Sequence, residues 1–330
     1  MIISRTPYRI SLFGGGTDYS KWYVSNSGVV ISTSIDKYAY ITVRKINNFL
    51  GYHSKVTWSV IEEVENNNQI KHPVIREVLK YYKYTQGLEI HHDGDLPARS
   101  GLGSSSSFTV GFLNSLHTLI QKKVNKTSLT KEAIFVEQKL LKESVGIQDQ
   151  IQVSFGGFNL IKINKNGDFN LIKFKNNNYL KKIKDHMLLF YTGISRHSSN
   201  IAGITINSIS KKQNNLHRIM EIANEAKKLI DSESNITFLG ELLDETWALK
   251  KDLHRNVSNS IINNAYVIAK KNGALGGKIL GAGGGGHLLI FAKPHNHKKI
   301  VSSLKRFTHI KFDLENEGTK IIYQNNEIYS

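Results

Sequence analysis

The sequence contains no cysteine in its 330 residues. Without thiols the chain can form neither disulfides nor a thiolate metal site, and it has no cysteine nucleophile. Long apolar runs are also absent, since stretches such as 187–190 and 288–292 are far too short to cross a bilayer. The N-terminus meets Arg5, Pro7 and Arg9 at once, unlike a signal peptide. We therefore expect a soluble, cytoplasmic protein with no membrane partner.

Acidic residues are scarce relative to basic ones: 27 Asp and Glu against 44 Lys and Arg give a formal net charge of +17. Such an excess suits nucleic acid, or a substrate that carries several phosphates. The basic tracts are short and scattered, and the sequence has no zinc finger, helix-turn-helix or RNA-recognition aromatic motif. We expect no nucleic-acid partner, and a basic RNA-binding protein is the alternative from a different functional class.

Glycine is plentiful and clustered. The central cluster, LPARSGLGSSSS at 96–107, lies between a predicted strand at 88–91 and a predicted helix at 108–122. Gly101 and Gly103 would let backbone N–H groups close on an anion, and the serines would lie at the positive end of the helix dipole. No Gly-Lys-Ser/Thr follows, so this is not a Walker A loop. A flexible Ser/Gly linker is the alternative, but the apolar periodic segment that follows argues against it.

A later stretch at 281–286 has five glycines in six residues and satisfies GxGxxG literally. A dinucleotide-binding turn requires a helix directly after it, whereas 287–292 has the pattern of a strand. We therefore reject dinucleotide binding. Because glycine has no Cβ atom, a stretch with this many glycines predicts a backbone that packs closely against a bulky or anionic group.

Two carboxylates follow the central cluster. Glu137 falls on the apolar stripe of a helix predicted at 128–143, where a carboxylate needs a partner, although a peripheral Glu is the alternative. Asp149 comes three residues after Gly146, and a solvated loop Asp is its alternative reading. Phosphoryl transfer needs N–H donors for phosphates, a carboxylate for Mg²⁺ and a group that manages the acceptor hydroxyl. The combination favours that chemistry.

Three motifs resemble those of the GHMP kinases, the family of galactokinase and of homoserine, mevalonate and phosphomevalonate kinases. PYRISLFGGGTDY at 7–19 resembles the first, Pro97-x-x-x-Gly-Leu-Gly-Ser-Ser the second, and KILGAGGGG at 278–286 the third. They occur in family order at similar spacing across nearly the whole chain. The resemblance implies an α+β GHMP kinase fold. Its N-terminal, ATP-binding domain would resemble ribosomal protein S5 domain 2 at 1–185, and its C-terminal domain would be ferredoxin-like at 186–330. The family uses ATP and Mg²⁺, and we expect a monomer or homodimer.

The resemblance also implies roles for individual residues. Asp149 matches the catalytic aspartate and Arg9 the arginine beside it. Glu137 and Ser105 match the magnesium ligands, with Ser104 the less favoured serine. The implied ATP-binding residues are Pro97, Ser100, Gly101, Leu102, Gly103, Ser104, Ser105 and Ser106. The implied substrate-binding residues are Gly14, Gly15, Gly16, Thr17, Asp18, Arg196, Gly283, Gly284, Lys250, Lys251 and Arg255.

Departures from the family pattern bear on the substrate. Galactokinases have Glu and His where this chain has Gly15 and Gly16, which leaves room for a larger or phosphorylated sugar. The stretches 190–196 and 275–286, together with Trp247-x-x-Lys-Lys, resemble heptose 7-phosphate kinases, which phosphorylate the anomeric hydroxyl of D-glycero-D-manno-heptose 7-phosphate. An L-fucose kinase-like or galactokinase-like enzyme is the alternative within the family. A non-catalytic regulator is a third possibility, but the presence of the catalytic and metal-site residues speaks against it.

A phosphorylated acceptor needs a cationic clamp for its 7-phosphate, remote from Asp149. We expect at least one of Arg196, Lys250, Lys251 and Arg255 to supply it. The last three are predicted to lie on one helix, with Lys251 and Arg255 on the same face at i, i+4.

Overall fold

Two β-sheets organise the chain. The computed structural model describes residues 1–46, 51–194, 203, 204, 206 and 208–325. The strands are β1 Ile2–Phe13, β2 Gly28–Lys45, β3 Ser54–Thr57, β4 Ile61–Val64, β5 Leu88–Gly94, β6 Phe158–Ile163, β7 Phe169–Lys173, β8 Met187–Tyr191, β9 Ala274–Ile279, β10 His287–Ala292, β11 Thr308–Ile310, β12 Leu314–Glu315 and β13 Lys320–Gln324. The helices are α1 Ser20–Asn26, α2 Pro73–Tyr81, α3 Ser104–Leu119, α4 Lys126–Phe135, α5 Gln148–Phe155, α6 Asn177–Asp185, α7 Gln213–Asp231, α8 Thr237–Leu253, α9 Ser260–Lys271 and α10 His297–Ser303.

The larger sheet has nine strands among the described residues, in the order β13-β1-β2-β5-β3-β4, with β12 and β6 also pairing with β2 and β7 with β6. Among the strand pairs that the structure describes, only β3–β5 is parallel. The sequence predicts two strands separated by Asp36 and Lys37, but β2 runs unbroken through them. The register shifts there, because Pro7 opposes Tyr38 while Tyr8 opposes Ile35. The two residues therefore form a bulge rather than a turn.

The smaller sheet is antiparallel, in the order β11-β8-β10-β9. Its strand β9 includes Gly276 and Gly277, which sequence reasoning left in an irregular glycine segment. A Cβ on Gly276 would lie 2.0 Å from the carbonyl oxygen of Gly240 in α8. Only glycine allows helix α8 to approach strand β9 so closely. The predicted strand after the last glycine cluster is confirmed as β10, which supports the rejection of a dinucleotide-binding turn.

One hydrophobic core joins the two sheets. It contains Ile10 and Leu12 from β1, Leu189 from β8 and Phe291 from β10, each almost fully buried. Because these side chains pack in one cluster, the two sheets are held against each other. That contact fixes the cleft in which the glycine motifs meet.

The end of the chain returns to the larger sheet. Strand β13 pairs with β1, where Ile2 opposes Gln324, and β12 pairs with β2. The domain boundary at residue 185 stays a prediction. It would assign β12 and β13 to the second domain, although both strands pair with strands of the larger sheet.

Two predicted helices differ in ways that matter for function. The helix expected at 128–143 is α4 followed by a π-helical turn, Val136–Leu140, which carries Glu137. The expectation that Lys250, Lys251 and Arg255 share one helix is wrong. Helix α8 ends at Leu253 because His254 is extended, with φ −165°, and its Nδ1 accepts the N–H of Asn256. Arg255 instead begins a short 3₁₀ turn, Arg255–Val257, so it does not stand one helical turn from Lys251.

Candidate functional site

The central and the last glycine clusters touch backbone to backbone. Gly101 has φ +85°, and a Cβ there would lie 2.6 Å from the carbonyl oxygen of Leu280. A Cβ on Gly281 would lie 2.7 Å from Cα of Gly101, and one on Gly286 would lie 2.2 Å from the carbonyl oxygen of Ser100. The expected close packing of the last cluster is thus, at these positions, packing against the central glycine loop.

His287 ties the two clusters together. Its backbone N–H and its Nδ1–H both donate to the carbonyl oxygen of Ser100, at 3.0 and 2.8 Å. The side chain is fully buried, and burial lowers its pKa to about 4. The imidazole is therefore neutral near neutral pH and acts as a hydrogen-bond donor to the loop.

Arg9 and Asp149 form a bidentate ion pair beside this loop. Nε of Arg9 donates to Oδ1 and Nη2 to Oδ2 of Asp149, both at 2.7 Å, while Nη1 donates to the carbonyl oxygen of Gly101 at 2.6 Å. Gly103 precedes α3 with φ +75°, and a Cβ there would lie 3.1 Å from Cγ of Arg9 and 3.5 Å from Oδ2 of Asp149. The pair therefore lies at the N-terminus of α3, where backbone N–H groups favour anions.

Asp18 is buried next to this pair. The backbone N–H groups of Gly16 and Gln148 donate to its carboxylate at 3.0 and 3.4 Å. Burial, and secondarily the charge of Asp149, raise the pKa of Asp18. Gly146 makes the arrangement possible, since a Cβ there would lie 1.8 Å from Oδ2 of Asp18.

The other residues of the first motif shape its turn. The hydroxyl of Thr17 donates to the carbonyl oxygens of Gly14 and Val29 at 2.8 and 3.0 Å, and Thr17 is buried. A Cβ on Gly14 would lie 1.8 Å from the carbonyl oxygen of Val29, so this position requires glycine. Of the predicted substrate-binding residues in this motif, Gly15, Gly16 and Asp18 line the cavity.

Glu137 is fully buried in its π-helical turn. Its Oε2 accepts hydrogen bonds from Nε2 of Gln150 at 2.5 Å and from the hydroxyl of Ser106 at 3.1 Å, while Oε1 has no hydrogen-bond partner among the described residues. Burial, then the charge of Glu143, raise the pKa of Glu137 to about 8. A buried, half-satisfied carboxylate is a fitting ligand for a divalent cation.

The serines after the glycine loop differ in position. Ser106 contacts Glu137, whereas Ser105, the serine expected beside the metal, is exposed at the cavity wall. The hydroxyl of Ser104 accepts the N–H of Arg99 at 3.1 Å. Across the residues that the structure describes, no group of three or more His, Asp or Glu side chains is arranged to hold a metal ion. A cation here would therefore need oxygens from a ligand as well as from the protein.

These groups surround one cavity of about 350 Å³. Of the predicted ATP-binding set, Gly101, Gly103, Ser104, Ser105 and Ser106 line it. Leu102 is fully buried and its carbonyl oxygen accepts the N–H of Arg9 at 3.0 Å, Ser100 is buried against His287, and Pro97 is exposed outside the cavity lining.

One end of the cavity is aromatic. The ring centre of His72 lies 4.9 Å from that of Trp58 and 4.3 Å from that of Phe108. The ring centre of His92 lies 4.9 Å from that of Phe108. Burial lowers the pKa of His72 to about 4 and also lowers that of His92. Sequence reasoning missed this group, because its members come from separate segments with no common spacing.

The predicted clamp residues are not gathered together. Lys250 lines the cavity, and its Nζ donates to the carbonyl oxygens of Ile279 and Gly281 at 2.9 and 2.6 Å. Lys251 is exposed, with its ammonium group 5.6 Å from the ring centre of Trp247, and Arg255 is exposed as well; neither belongs to the cavity lining. Arg196 lies outside the described residues.

Gly283 and Gly284, also predicted to bind substrate, pack against Val257. A Cβ on Gly283 would lie 2.7 Å from the carbonyl oxygen of Val257, and the N–H of Gly284 donates to that oxygen at 2.8 Å. The cavity lining from this cluster consists instead of Gly281 and Ala282.

Comparison with known families gives the architecture a name. Residues 68–157 match the GHMP kinases N terminal domain, and residues 226–309 match the GHMP kinases C terminal domain. The chain belongs to the GHMP kinases. It is therefore a phosphotransferase with an alcohol group as acceptor, and the α+β fold predicted from the sequence is confirmed.

Three relatives illustrate the range within this family. The chain is 26% identical to D-glycero-alpha-D-manno-heptose 7-phosphate kinase of Campylobacter jejuni, over 92% of this chain and 93% of that protein. It is 25% identical to L-fucokinase/L-fucose-1-P guanylyltransferase of Bacteroides fragilis, over 89% of this chain but only 35% of that larger protein. The crystal structure of a D-glycero-D-manno-heptose 1-phosphate kinase from Bacteroides thetaiotaomicron shares the fold, with a TM-score of 0.80 and 21% identity over 100% of both chains.

Among the described residues, no helix is both long enough and apolar enough to cross a membrane.

Proposed function

We propose that this GHMP kinase transfers the γ-phosphoryl group of ATP to the anomeric hydroxyl of D-glycero-D-manno-heptose 7-phosphate. The product would be the 1,7-bisphosphate, on a route to nucleotide-activated heptose for a capsule or surface polysaccharide. The observation that carries the proposal is the Arg9–Asp149 pair at the N-terminus of α3, in one cavity with the buried Asp18. In this arrangement, backbone N–H groups would bind the phosphates, Asp149 would act as the base, and Asp18 would bind the sugar hydroxyls.

The nucleotide phosphates would lie on the glycine loop. Gly101 and Gly103 leave the backbone unobstructed, and the N-terminus of α3 supplies N–H groups and a positive dipole. The aromatic end of the cavity, with Trp58 and His72, would take the adenine, because flat apolar rings stack on a purine.

Glu137 would hold Mg²⁺ together with a serine hydroxyl and the phosphates of ATP. The support is its unpartnered Oε1 and its contact with the hydroxyl of Ser106. Ser105, the serine implied by the resemblance, remains the other candidate at the same helix end. The ion would supply positive charge that neutralises the phosphate oxygens.

Asp149 would accept the proton of the acceptor hydroxyl. Arg9 donates to both of its carboxylate oxygens, which orients the carboxylate beside the glycine loop. Asp18, fixed by two backbone N–H groups, would bind sugar hydroxyls. Gly15 and Gly16 line the cavity without long side chains, which supports a bulky acceptor.

The position of the 7-phosphate clamp is a separate part of the proposal. Lys250 lies beside Arg9, whose charge contributes to lowering its pKa, so it is not remote from the reacting groups as a clamp should be. Lys251, Arg255 and Arg196 remain the candidates for the far end of the sugar. At least one of the alanine variants of these three should lower kcat/KM for the phosphorylated sugar by roughly 10- to 100-fold and spare an unphosphorylated one.

The acceptor is tested by comparing kcat/KM for heptose 7-phosphate, L-fucose and galactose in an ADP-release assay. We expect kcat/KM for heptose 7-phosphate to be higher than for the other sugars by at least about 100-fold. A sugar without a phosphate would lose at least one charge-assisted hydrogen bond that the site makes to the phosphate. Preference for L-fucose or galactose would select the alternative sugar kinases. Specific RNA affinity in filter binding across a salt series, with no turnover of any sugar, would select the RNA-binding alternative.

A further inference from the structure

Two lysines, Lys250 and Lys278, lie in the wall of the cavity. Lys278 in β9 is 2% exposed, and its Nζ donates to the carbonyl oxygen of Leu12 at 2.8 Å. Lys250 in α8 donates to the carbonyl oxygens of Ile279 and Gly281. Both lysines line the same cavity as Arg9. Their ammonium groups are thus fixed by backbone oxygens rather than by counter-ions.

Three cationic side chains, those of Arg9, Lys250 and Lys278, line this cavity. Neither lysine forms an ion pair with a carboxylate in the part of the chain that the structure describes, and Asp149 is already bound bidentately by Arg9. Burial lowers the pKa of both lysines. The charge of Arg9 lowers the pKa of Lys250 further, and the charges of Lys250 and Arg9 lower that of Lys278, while the charge of Asp18 acts in the opposite direction on Lys278. A buried cluster of like charges is unfavourable until an anion enters it.

Each ammonium group also keeps N–H donors for a ligand. An ammonium has three donors; Lys250 uses two on carbonyl oxygens and Lys278 uses one. One donor on Lys250 and two on Lys278 remain for groups that enter the cavity. The carbonyl oxygens hold both ammonium groups in position before such a group arrives, as preorganised stabilisation requires.

The backbone contacts of the two lysines indicate which anion would bind between them. Gly281, whose carbonyl oxygen holds Lys250, packs directly on Gly101 of the phosphate loop. The carbonyl oxygen of Gly101 in turn accepts Nη1 of Arg9. Leu12, which holds Lys278, is three residues from Arg9 on β1. Both lysines therefore border the point where the phosphate loop and the Arg9–Asp149 pair meet, rather than the far end of an acceptor.

We propose that Lys250 and Lys278 are further catalytic residues that donate hydrogen bonds to the phosphoryl group in transit from ATP to the acceptor. The inference rests on the proposed phosphoryl transfer. In that step the acceptor hydroxyl gives its proton to Asp149, its oxygen forms a bond to the γ-phosphorus, and the bond from that phosphorus to the bridging oxygen of ADP breaks. The lysines keep their protons and stabilise the charge on the non-bridging oxygens.

The test uses Lys278→Met and Lys250→Met, which keep side-chain length and remove the charge. Lys271→Met, at an exposed position at the end of α9, is the matched control. Each lysine variant should lose about 10²–10³-fold in kcat, the scale for one preorganised donor. Calorimetry supplies the second readout. Binding of ADP with Mg²⁺ should change less than threefold, whereas binding of ADP with aluminium fluoride and acceptor, a mimic of the transferring group, should weaken by at least 30-fold.

Several results would overturn the inference. One is unchanged kcat in both variants. Another is an equal weakening of ADP and of its aluminium fluoride complex, which would make the lysines ordinary ground-state contacts. A third is a loss confined to KM for the phosphorylated sugar, which would make them the 7-phosphate clamp. Thermal unfolding checks that each variant folds, and Lys250→Met, at the less buried lysine, decides the matter if Lys278→Met does not fold. Failure of the unaltered enzyme to phosphorylate any sugar would instead overturn the proposed function.

Discussion

Asp149 shows how a single residue acquires a role from its surroundings. Its carboxylate is bound by two nitrogens of Arg9 and faces the glycine loop across Gly103. Sequence reasoning could select Asp149 by resemblance to a family motif. The bidentate geometry depends on a contact between residues 140 positions apart, which no local pattern encodes.

Asp149→Asn should keep the shape of this site and lose its basicity. We expect kcat to fall by roughly 10²–10⁴-fold, because a general base contributes on that scale. Affinity for a non-hydrolysable ATP analogue should stay within about threefold, and Asp185→Asn, at an exposed position at the end of α6, serves as the control. Turnover close to that of the unaltered enzyme would remove Asp149 from the reaction.

Glu137 is a second residue whose proposed role depends on its burial. Its place on an apolar stripe was visible in the sequence, but the partners Ser106 and Gln150 were not. Glu137→Gln removes the charge and keeps the shape. We expect the Mg²⁺ concentration for half-maximal activity to rise by at least about tenfold, measured by titration at saturating ATP. An unchanged titration would make Glu137 a purely structural residue.

His287 predicts how stability responds to acid. Its pKa in the folded protein is about 4, below the ordinary value of 6.5, so the unfolded chain binds more protons between these pH values. The free energy of unfolding should therefore be lost as pH falls from about 6.5 to 4, and His72 contributes in the same direction. His287→Gln should lose less stability than the unaltered protein between pH 7 and pH 5 in urea unfolding. Equal losses would show that His287 is not buried neutral.

At the scale of elements, the central and the last glycine clusters pack against each other. Sequence reasoning predicted the loop before α3 and strand β10, because glycine and serine mark the loop and a run of apolar residues marks the strand. It did not predict that Gly101 and Gly281 touch, nor that β9 includes Gly276. Those features depend on two backbone segments lying close together. A glycine in the sequence does not show which other segment packs against it.

Gly103→Val tests the loop as an element. Valine at φ +75° is strained, and its Cβ would lie 3.1 Å from Arg9, so the phosphate loop and the Arg9–Asp149 pair should both be displaced. We expect the KM for ATP to rise by at least about tenfold while the fold persists. Gly167→Val, at φ +85° in the β6–β7 hairpin, is the matched control for strain away from the cavity. Equal ATP affinity in the two variants would mean that the phosphates bind elsewhere.

At the scale of the whole molecule, the site depends on both sheets. Arg9 comes from β1 of the larger sheet, Lys278 from β9 of the smaller one, and Lys250 from α8. The family resemblance predicted an N-terminal and a C-terminal domain, and that much could be read from the motifs along the chain. The return of β12 and β13 to the first sheet could not, because strands of two and five residues carry little pattern and their partners lie some 300 residues away.

The proposed reaction of this molecule moves the γ-phosphoryl group of ATP to an anomeric hydroxyl. Phosphorus NMR of the product formed from heptose 7-phosphate, ATP and Mg²⁺ tests it most directly, because the coupling of the new phosphorus to the C1 proton identifies the acceptor oxygen. We predict a new phosphomonoester on C1 in equal amount to the ADP formed, with the 7-phosphate signal retained. Absence of a new phosphorus signal on C1 while ATP is present, or transfer to a different hydroxyl, would contradict the account.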